Sequence, residues 1–479
     1  MKLKALWVLS LLSLPLLANE LDNKQLFPEV KQLLVIPDLS ERDLEQNGYV
    51  GMLALDVPVD KDYTAIAKKV LIKNNRLLQV AISKQDVKLL DNVVKTTDYY
   101  DENKALKVNM GYGTGYEFPC ASLKNLHCVD QVIKDRKQLT ALIKESNVIL
   151  ARYRQIQAKP YYKAYPMSAE MPIPPYHKSI YASQLRLAEA VFAIDDGDVR
   201  KGLKILQDEM DFIKNKLLAN GYLIDVMIGV RQLLITAHVL EQLIDRPQLK
   251  PYLSDPQITL LFQPLNTEQQ QIIASTFRRE QGFMVVSGYF STKETIEEYI
   301  HLWKKLGFDD NGESYFCQAK KLGYPLRFNK IAAMNLNYQK LNLLISKASL
   351  MLPSSSSAYI IDNVASRQPL TIQEIYQQYG ADNLLGGIML ESDQLLSYLY
   401  RFYDVNNYFW LIQAKLQIKR LAISKSRVVE FLLRSNYKNP YSQHPLQWNS
   451  CLQVLSSDWL GAIDDGRDGD RATIYIKYD

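Results

Sequence analysis

The stretch YLIDVMIGVRQLLITAHVLEQLI, residues 222–244, decides how the rest of the chain must fold. It is apolar on almost every helical face, so a helix formed there must be surrounded by other elements or by lipid. Its 23 residues are long enough to cross a bilayer. Asp225, Arg231, His238 and Glu241 argue against a membrane span, because four ionisable groups in lipid are costly. The stretch is therefore predicted to be the central helix of a bundle.

Amphipathic stripes on either side of this stretch supply the elements that would cover it. Apolar residues recur at a spacing of three and four, which is typical of a helix with one buried face, over 139–156, 199–217, 334–352 and 411–421. The turn DDGD at 195–198 separates two such helices as in an antiparallel hairpin, and ATIYIKY at 472–478 alternates like a strand. The predicted fold is mainly α, either a multi-helix bundle or a helical-hairpin array, with a small β element at the C-terminus.

Two stretches without helical periodicity divide the chain. Residues 160–175 carry five prolines, which favour an extended path strapped across the body. The serine-rich residues 351–370 are expected to form a surface loop. The predicted organisation is a signal peptide at 1–18, an N-terminal mixed region at 19–129, a helical core at 130–350, the surface loop at 351–370, and a C-terminal helical region at 371–479 with an Asp-rich tail.

The first 18 residues, MKLKALWVLSLLSLPLLA, have the layout of a secretory signal peptide. Lys2 and Lys4 precede an apolar run that ends before the small residue Ala18. The run spans 13 residues, whereas a membrane-spanning helix needs roughly 20. The mature chain is expected to begin at Asn19 and to be soluble in the periplasm, with no transmembrane span. The alternatives are an uncleaved N-terminus that anchors the protein in the inner membrane, and a buried N-terminal helix.

Four cysteines in an exported chain predict disulfides. Cys120 and Cys128 are close enough in sequence to close a short loop. Cys317 would then pair with Cys451 and tie the C-terminal part of the chain to its middle. The alternatives are buried thiols without a disulfide, or a zinc site, although no Cys-x-x-Cys occurs and His127 is the one histidine nearby.

Composition and motifs argue against several function classes. The chain has 57 Lys and Arg and 52 Asp and Glu; loss of Lys2 and Lys4 with the signal peptide leaves 55 against 52, a net charge of about +3. This balance predicts neither nucleic-acid binding nor strong binding to anionic membranes, which need concentrated basic residues. Gly-x-Ser-x-Gly, His-Glu-x-x-His and P-loop motifs are absent from the sequence.

The stretch DDGRDGD, residues 464–470, concentrates acidic side chains. Calcium takes several oxygen ligands from a loop that can bend. The candidate ligands are Asp464, Asp465, Asp468 and Asp470, and the alternative is a solvated turn. With NPYSQHPLQW at 439–448 before it, the stretch resembles the end of type II secretion pseudopilins, in which an Asn-Pro-Tyr segment precedes a calcium loop. That resemblance is local and implies calcium binding alone.

A broader resemblance concerns most of the chain. NGYVGMLALDVP at 47–58, GYLIDVMIGVRQL at 221–233 and the same tail are similar to a family of uncharacterised exported proteobacterial proteins of similar length. The resemblance implies a Gram-negative periplasm and brings no assigned activity.

The expected function is that of a non-enzymatic, exported helical protein that binds or scaffolds an envelope protein or a cell-wall component. The alternative is an all-helical envelope hydrolase that acts on peptidoglycan and is similar to lytic transglycosylases, which use one Glu as general acid and base. Glu280 and Glu391-Ser392 do not reproduce the motif of that family. Asp225 is expected to pair with an arginine such as Arg231 or with a basic residue of another helix, and no catalytic residue or organic cofactor is predicted.

Overall fold

The apolar stretch forms one helix, Leu223–Leu243, in the computed structural model, and the protein surrounds it. Among the described residues it is the one helix with the length and hydropathy of a membrane span, and 78% of its most apolar window is buried inside the protein. The structure describes residues 25–110, 115–168, 171–292, 296–297, 311–350, 370–391, 395–435, 437–441, 443–458 and 471–478.

The helices up to and including the central helix are, in chain order, α1 Pro28–Leu33, α2 Glu41–Gln46, α3 Gly48–Leu53, α4 Tyr63–Lys84, α5 Cys128–Lys134, α6 Arg136–Glu145, α7 Asn147–Ala158, α8 Tyr176–Asp195, α9 Val199–Phe212 and α10 Leu223–Leu243. A π-helical turn, Ile213–Leu217, extends α9, and 3₁₀ turns fall at Val87–Asn92, Thr96–Tyr99, Glu102–Lys104 and Pro119–Ala121.

The C-terminal half is also mainly helical. Its helices are α11 Pro256–Leu261, α12 Thr267–Phe290, α13 Asn311–Lys321, α14 Lys330–Leu350, α15 Ile372–Tyr379, α16 Leu384–Glu391, α17 Leu395–Arg420 and α18 Val428–Arg434, with 3₁₀ turns at Lys250–Tyr252 and Lys425–Arg427. The chain then forms an antiparallel sheet of β1 Gln447–Asn449, β2 Val454–Asp458 and β3 Arg471–Tyr475, in that order. The predicted mainly α fold with a small C-terminal β element is confirmed.

Several elements pack around the central helix. α8 and α17 pack against α10, and α8 and α9 pack against each other as a hairpin around the predicted DDGD turn. The main hydrophobic core runs from Ile36 to Ile476 and includes both faces of α10. A second, smaller core joins α13, α15 and α16, and contains Phe316, Ile375 and Leu385.

The proline-rich stretch is a strap in the structure. Asn47 holds it by two hydrogen bonds, because its Nδ2 donates to the carbonyl of Lys163 at 2.6 Å and its Oδ1 accepts from the Lys163 backbone N–H at 2.8 Å. Gly48 donates its backbone N–H to the carbonyl of Tyr161 at 2.8 Å. Tyr162 is fully buried in the main core. The strap therefore fixes the N-terminal helices to the body.

One of the two predicted disulfides forms. Cys120 and Cys128 are bonded and buried, with 4.9 Å between their Cα atoms. The expected pairing of Cys317 with Cys451 is wrong, because neither residue is in a disulfide and both are exposed. Cys317 lies on α13, which packs in the smaller core, whereas Cys451 lies in the turn between β1 and β2, whose sheet packs on the main core.

Candidate functional site

The chain around α18 forms an exposed surface next to the C-terminal sheet. α17 ends where Ala422 adopts a positive φ of 49°, and Ile423 donates its backbone N–H back to the carbonyl of Ile418 at 3.0 Å. α18 then packs Val428 and Leu432 inward and contacts β1. On the other sides of this seven-residue helix, Val429, Glu430, Leu433 and Arg434 are exposed and Phe431 is half-buried.

Large apolar side chains stand on this exposed part. Val429 and Leu433 are 52% and 71% exposed, and Leu421 in the preceding turn is 59% exposed. Val429 and Leu433 are four residues apart, so they lie on the same face of the helix. Val429 and Leu433 are therefore next to each other rather than scattered singly.

Basic residues are concentrated in the same segment of the chain. Residues 420–438 contain five of them, a concentration that the balance of the whole chain does not reveal: Arg420, Lys425, Arg427, Arg434 and Lys438. The one acid in this range is Glu430, so the range carries a net charge of +4, whereas the 479-residue chain carries +5. We call residues 420–438 the basic-apolar surface.

Glu430 organises two of the basic residues of this surface. Its Oε1 lies 2.7 Å from Arg434 Nη2 and its Oε2 lies 3.5 Å from Arg427 Nε. The three charged residues border an open depression of about 320 Å³, which Ile423 and Phe431 also line. This depression can receive an apolar group beside two guanidinium groups.

Asp225, which the sequence places inside the apolar helix, caps the N-terminus of α10. It is 1% exposed, and its Oδ1 accepts hydrogen bonds from the hydroxyls of Tyr162 and Tyr176, both at 2.6 Å. Its Oδ2 accepts from the backbone N–H of Tyr222 at 2.9 Å. Burial raises the pKa of Asp225, and these hydrogen bonds oppose the rise. The expected pairing with Arg231 is wrong, because the Arg231 guanidinium donates to the carbonyl of Ala121 at 2.7 Å.

Glu280, which was compared with the catalytic acid of transglycosylases, lies at the same helix end. It is 9% exposed, and its Oε2 accepts from the backbone N–H of Leu223 at 3.1 Å. The positive end of a helix dipole favours carboxylates. Asp225 and Glu280 thus bind backbone N–H groups at the start of α10.

Glu209 is a buried carboxyl that the sequence reasoning missed. It is fully buried and accepts hydrogen bonds from Gln157 Nε2 at 2.7 Å and from the Ser183 hydroxyl at 2.9 Å. The Tyr153 hydroxyl donates to the same carboxyl at 3.3 Å. Burial raises the pKa of Glu209 to about 7. The sequence does contain a signal for its burial: Glu209 follows the buried Leu206 by three residues in α9, and residues at that spacing lie on the same face of a helix.

A second buried ionic group joins α10 to α17. Lys415 is fully buried, and its Nζ lies 2.5 Å from Glu241 Oε1 and 2.6 Å from Asp245 Oδ2. Burial by itself would lower the pKa of Lys415, but the charges of Glu241 and Asp245 hold it above its ordinary value. His238 also lies between these helices, with Nδ1 3.3 Å from the Tyr408 hydroxyl.

Lys214 is a buried base just beyond the C-terminal end of α9. It lies in the π-helical turn after α9, where its Nζ donates to the carbonyl of Gln263 at 2.6 Å and lies 4.4 Å from the ring centre of Phe409. Burial lowers the pKa of Lys214 to about 7. This lysine ties α9 to the chain after α11.

The predicted calcium ligands Asp464, Asp465, Asp468 and Asp470 lie outside the described residues. The residues that flank them are described, and Asp458 and Arg471 are paired across β2 and β3. His444 Nδ1 lies 2.9 Å from Asp458 Oδ2 at the same end of the sheet. Within the described ranges, no group of three or more His, Cys, Asp or Glu side chains could hold a metal ion.

The buried carboxylates and the surface features occupy different places. A cavity of about 20 Å³, enough for one water molecule, is lined by the strap, α3 and α4, and the depression of about 320 Å³ lies on α18. Asp225, Glu280 and Glu209 line neither of them. No protein-family model, curated protein or solved structure matches this chain.

Proposed function

We propose that the protein is an exported component of the Gram-negative cell envelope that binds or scaffolds a partner through its basic-apolar surface. The observation that carries the proposal is the coincidence of exposed apolar residues with most of the net positive charge on residues 420–438. Exposed apolar side chains that lie next to each other are a property of interaction sites. The buried carboxylates, in contrast, accept hydrogen bonds from the protein itself.

Two observations support the exported location. Residues 1–18 have the layout of a signal peptide, and the buried Cys120–Cys128 disulfide is compatible with an oxidising compartment. Fractionation of a Gram-negative host should release the protein with the periplasm, and N-terminal sequencing should give Asn19 as the first residue. Recovery in the cytoplasm, or in the membrane with Met1 retained, would refute the soluble periplasmic location.

Photo-crosslinking in cells tests the binding role. A photoreactive residue at Leu433, which is 71% exposed, should form adducts with an envelope component. Val59 is the matched control, because this exposed apolar residue has a similar exposure of 70% and lies outside the basic-apolar surface. Equal crosslinking from both positions, or none from Leu433, would contradict the proposal.

Zymography separates this role from the alternative, an envelope hydrolase. The purified protein should leave no clearing in a gel that contains peptidoglycan. A cleared band that disappears in Glu280→Gln, while that variant keeps the wild-type melting temperature, would establish the hydrolase instead. Glu145→Gln, a change at an exposed position on α6, serves as the control.

We also propose that the Asp-rich stretch binds calcium. The four aspartates lie in sequence between Asp458 and Arg471, which are paired across β2 and β3, and calcium takes several oxygen ligands from one stretch of chain. Millimolar calcium should raise the melting temperature of the wild type and leave that of Asp464→Ala/Asp468→Ala unchanged. The same melting temperature with and without calcium in the wild type would reject this proposal.

A further inference from the structure

We infer that the basic-apolar surface docks the protein on an anionic lipid bilayer, with aliphatic side chains in the headgroup region and basic side chains on lipid phosphates. This inference rests on the proposed function, since it names the partner of the same surface. The net charge of the sequence argues against such a partner, but residues 420–438 alone carry a net charge of +4, against +5 for the whole chain. Electrostatic attraction to a membrane depends on this local density rather than on the total.

The arrangement of α18 suits a helix that lies in a bilayer surface. Val428 and Leu432 attach one side of the helix to the body, and Val429 and Leu433 follow on the adjacent face. With about 100° between successive residues, Arg427, Glu430 and Arg434 fall on the next face around the helix. An interfacial helix buries its apolar face at the boundary of headgroups and acyl chains while its basic face contacts anionic headgroups.

The charges of this surface are available to an external anion. Arg420, Lys425 and Lys438 have no carboxylate within ion-pair distance among the described residues. Arg427 and Arg434 share the single carboxylate of Glu430, so this group keeps one net positive charge. Because the remainder of the chain is nearly neutral, the surface gives the molecule a preferred orientation towards a negative plane.

The exposed side chains favour a bilayer over an acidic protein. Energetically dominant residues in protein interfaces are mainly Trp, Tyr and Arg, held in desolvated pockets. The prominent apolar residues here are aliphatic, and the aromatic Phe431 is partly covered, with its ring centre 5.9 Å from that of Tyr437. Aliphatic residues flanked by lysine and arginine match a lipid surface, which needs no complementary pocket.

Vesicle flotation with the purified mature chain tests the inference. The protein should float with vesicles that contain about one third phosphatidylglycerol in phosphatidylcholine, and should remain unbound with phosphatidylcholine alone. Binding should fall as salt rises from about 50 to about 500 mM, because screening shortens the reach of the surface charges. Absence of binding to the anionic vesicles at low salt, or equal binding to both vesicle types, would overturn the inference.

Paired variants locate the binding surface. Lys425→Ala/Lys438→Ala should weaken vesicle binding about 25-fold, since each basic residue near an anionic leaflet is worth about a fivefold change. Lys137→Ala/Lys144→Ala removes the same charge from exposed positions on α6 and should leave binding unchanged. An equal loss in both double variants would refute the assignment to residues 420–438.

A third variant separates a bilayer from an acidic peptide. Val429→Ser/Leu433→Ser keeps every charge and should still reduce vesicle binding severalfold, because it removes the exposed aliphatic groups. Unchanged vesicle binding by this variant, together with competition by soluble polyglutamate, would replace the lipid with an acidic peptide. If vesicles fail but Leu433 crosslinks to an envelope protein in cells, the lipid inference falls and the proposed function stands. If the protein binds vesicles but is recovered in the cytoplasm, the proposed function falls and the lipid inference stands.

Discussion

Replacement of Glu209 by glutamine tests whether the buried carboxyl of this residue makes the free energy of unfolding depend on pH. The carboxyl of Glu209 is fully buried between α7, α8 and α9, and burial raises its pKa from the ordinary value of 4.5 to about 7. An acid with a raised pKa in the folded state binds its proton more tightly there than in the unfolded chain. Folding therefore favours the protonated form of Glu209.

The direction and size of the pH effect follow from that shift. Below pH 4.5 Glu209 is protonated in both states, and its contribution to the free energy of unfolding is fully present. As pH rises through 7 the folded protein must ionise a buried carboxyl, and the contribution is lost. At about 1.4 kcal/mol for each pH unit, the loss is about 3 kcal/mol.

Glu209→Gln should remove this pH dependence and keep the packing. The amide oxygen can accept from Gln157 Nε2, and the amide N–H groups can donate to the hydroxyl oxygens of Ser183 and Tyr153. Relative to wild type, the free energy of unfolding of the variant should rise by about 3 kcal/mol between pH 4.5 and pH 8. Urea titrations followed by circular dichroism measure it, and parallel pH profiles for the two proteins would refute the reasoning.

The other predictions concern groups that fasten elements together. Lys415→Met leaves the buried carboxylate of Glu241 without its lysine, while Asp245 keeps Lys419 as a partner, and should lower the free energy of unfolding by about 3 to 5 kcal/mol in urea titrations. Cys120→Ser/Cys128→Ser should cost about 2.5 kcal/mol in the same assay, as the bridge closes a loop with a sequence separation of 8. Lys214 has a lowered pKa, so its contribution is present above pH 10.5 and is lost as pH falls through about 7. As pH falls from 10.5 to 7, the free energy of unfolding of Lys214→Met should therefore rise by about 4 kcal/mol relative to wild type. Urea unfolding curves across that range would show it.

The sequence predicts the role of the central helix but not its contacts. An apolar stretch with ionisable residues indicates a buried helix with polar partners. The pairing of Asp225 with Arg231 fails because residues six positions apart point about 120° apart around a helix and face different neighbours. The partners that do bind Asp225, Tyr162 and Tyr176, are 63 and 49 residues away in sequence. Local patterns carry no information about contacts at that separation.

The basic-apolar surface could not be predicted from the sequence for a related reason. The segment VVEFLLR reads as a buried helix, since five of its seven residues are apolar. The fold covers the side of Val428 and Leu432 with β1 and leaves Val429 and Leu433 in solvent. Likewise, the net charge of the whole chain does not show where its basic residues lie. Only the packing of neighbouring elements decides which side chains of an apolar, basic segment remain exposed.

The ionisable residues of α10 determine how that helix is rotated. A helix that is apolar on all faces gains the same hydrophobic burial in many orientations, so apolar contacts alone specify its rotation poorly. Its ionisable side chains each contact a different part of the protein. Asp225 contacts the strap, Arg231 contacts Ala121 in the disulfide region, and Glu241 contacts Lys415 of α17. Rotation of the helix would break all three contacts at once and leave the carboxyl groups of Asp225 and Glu241 buried without these partners. The residues that make this segment unsuited to lipid are thus the ones that fix its position in the protein.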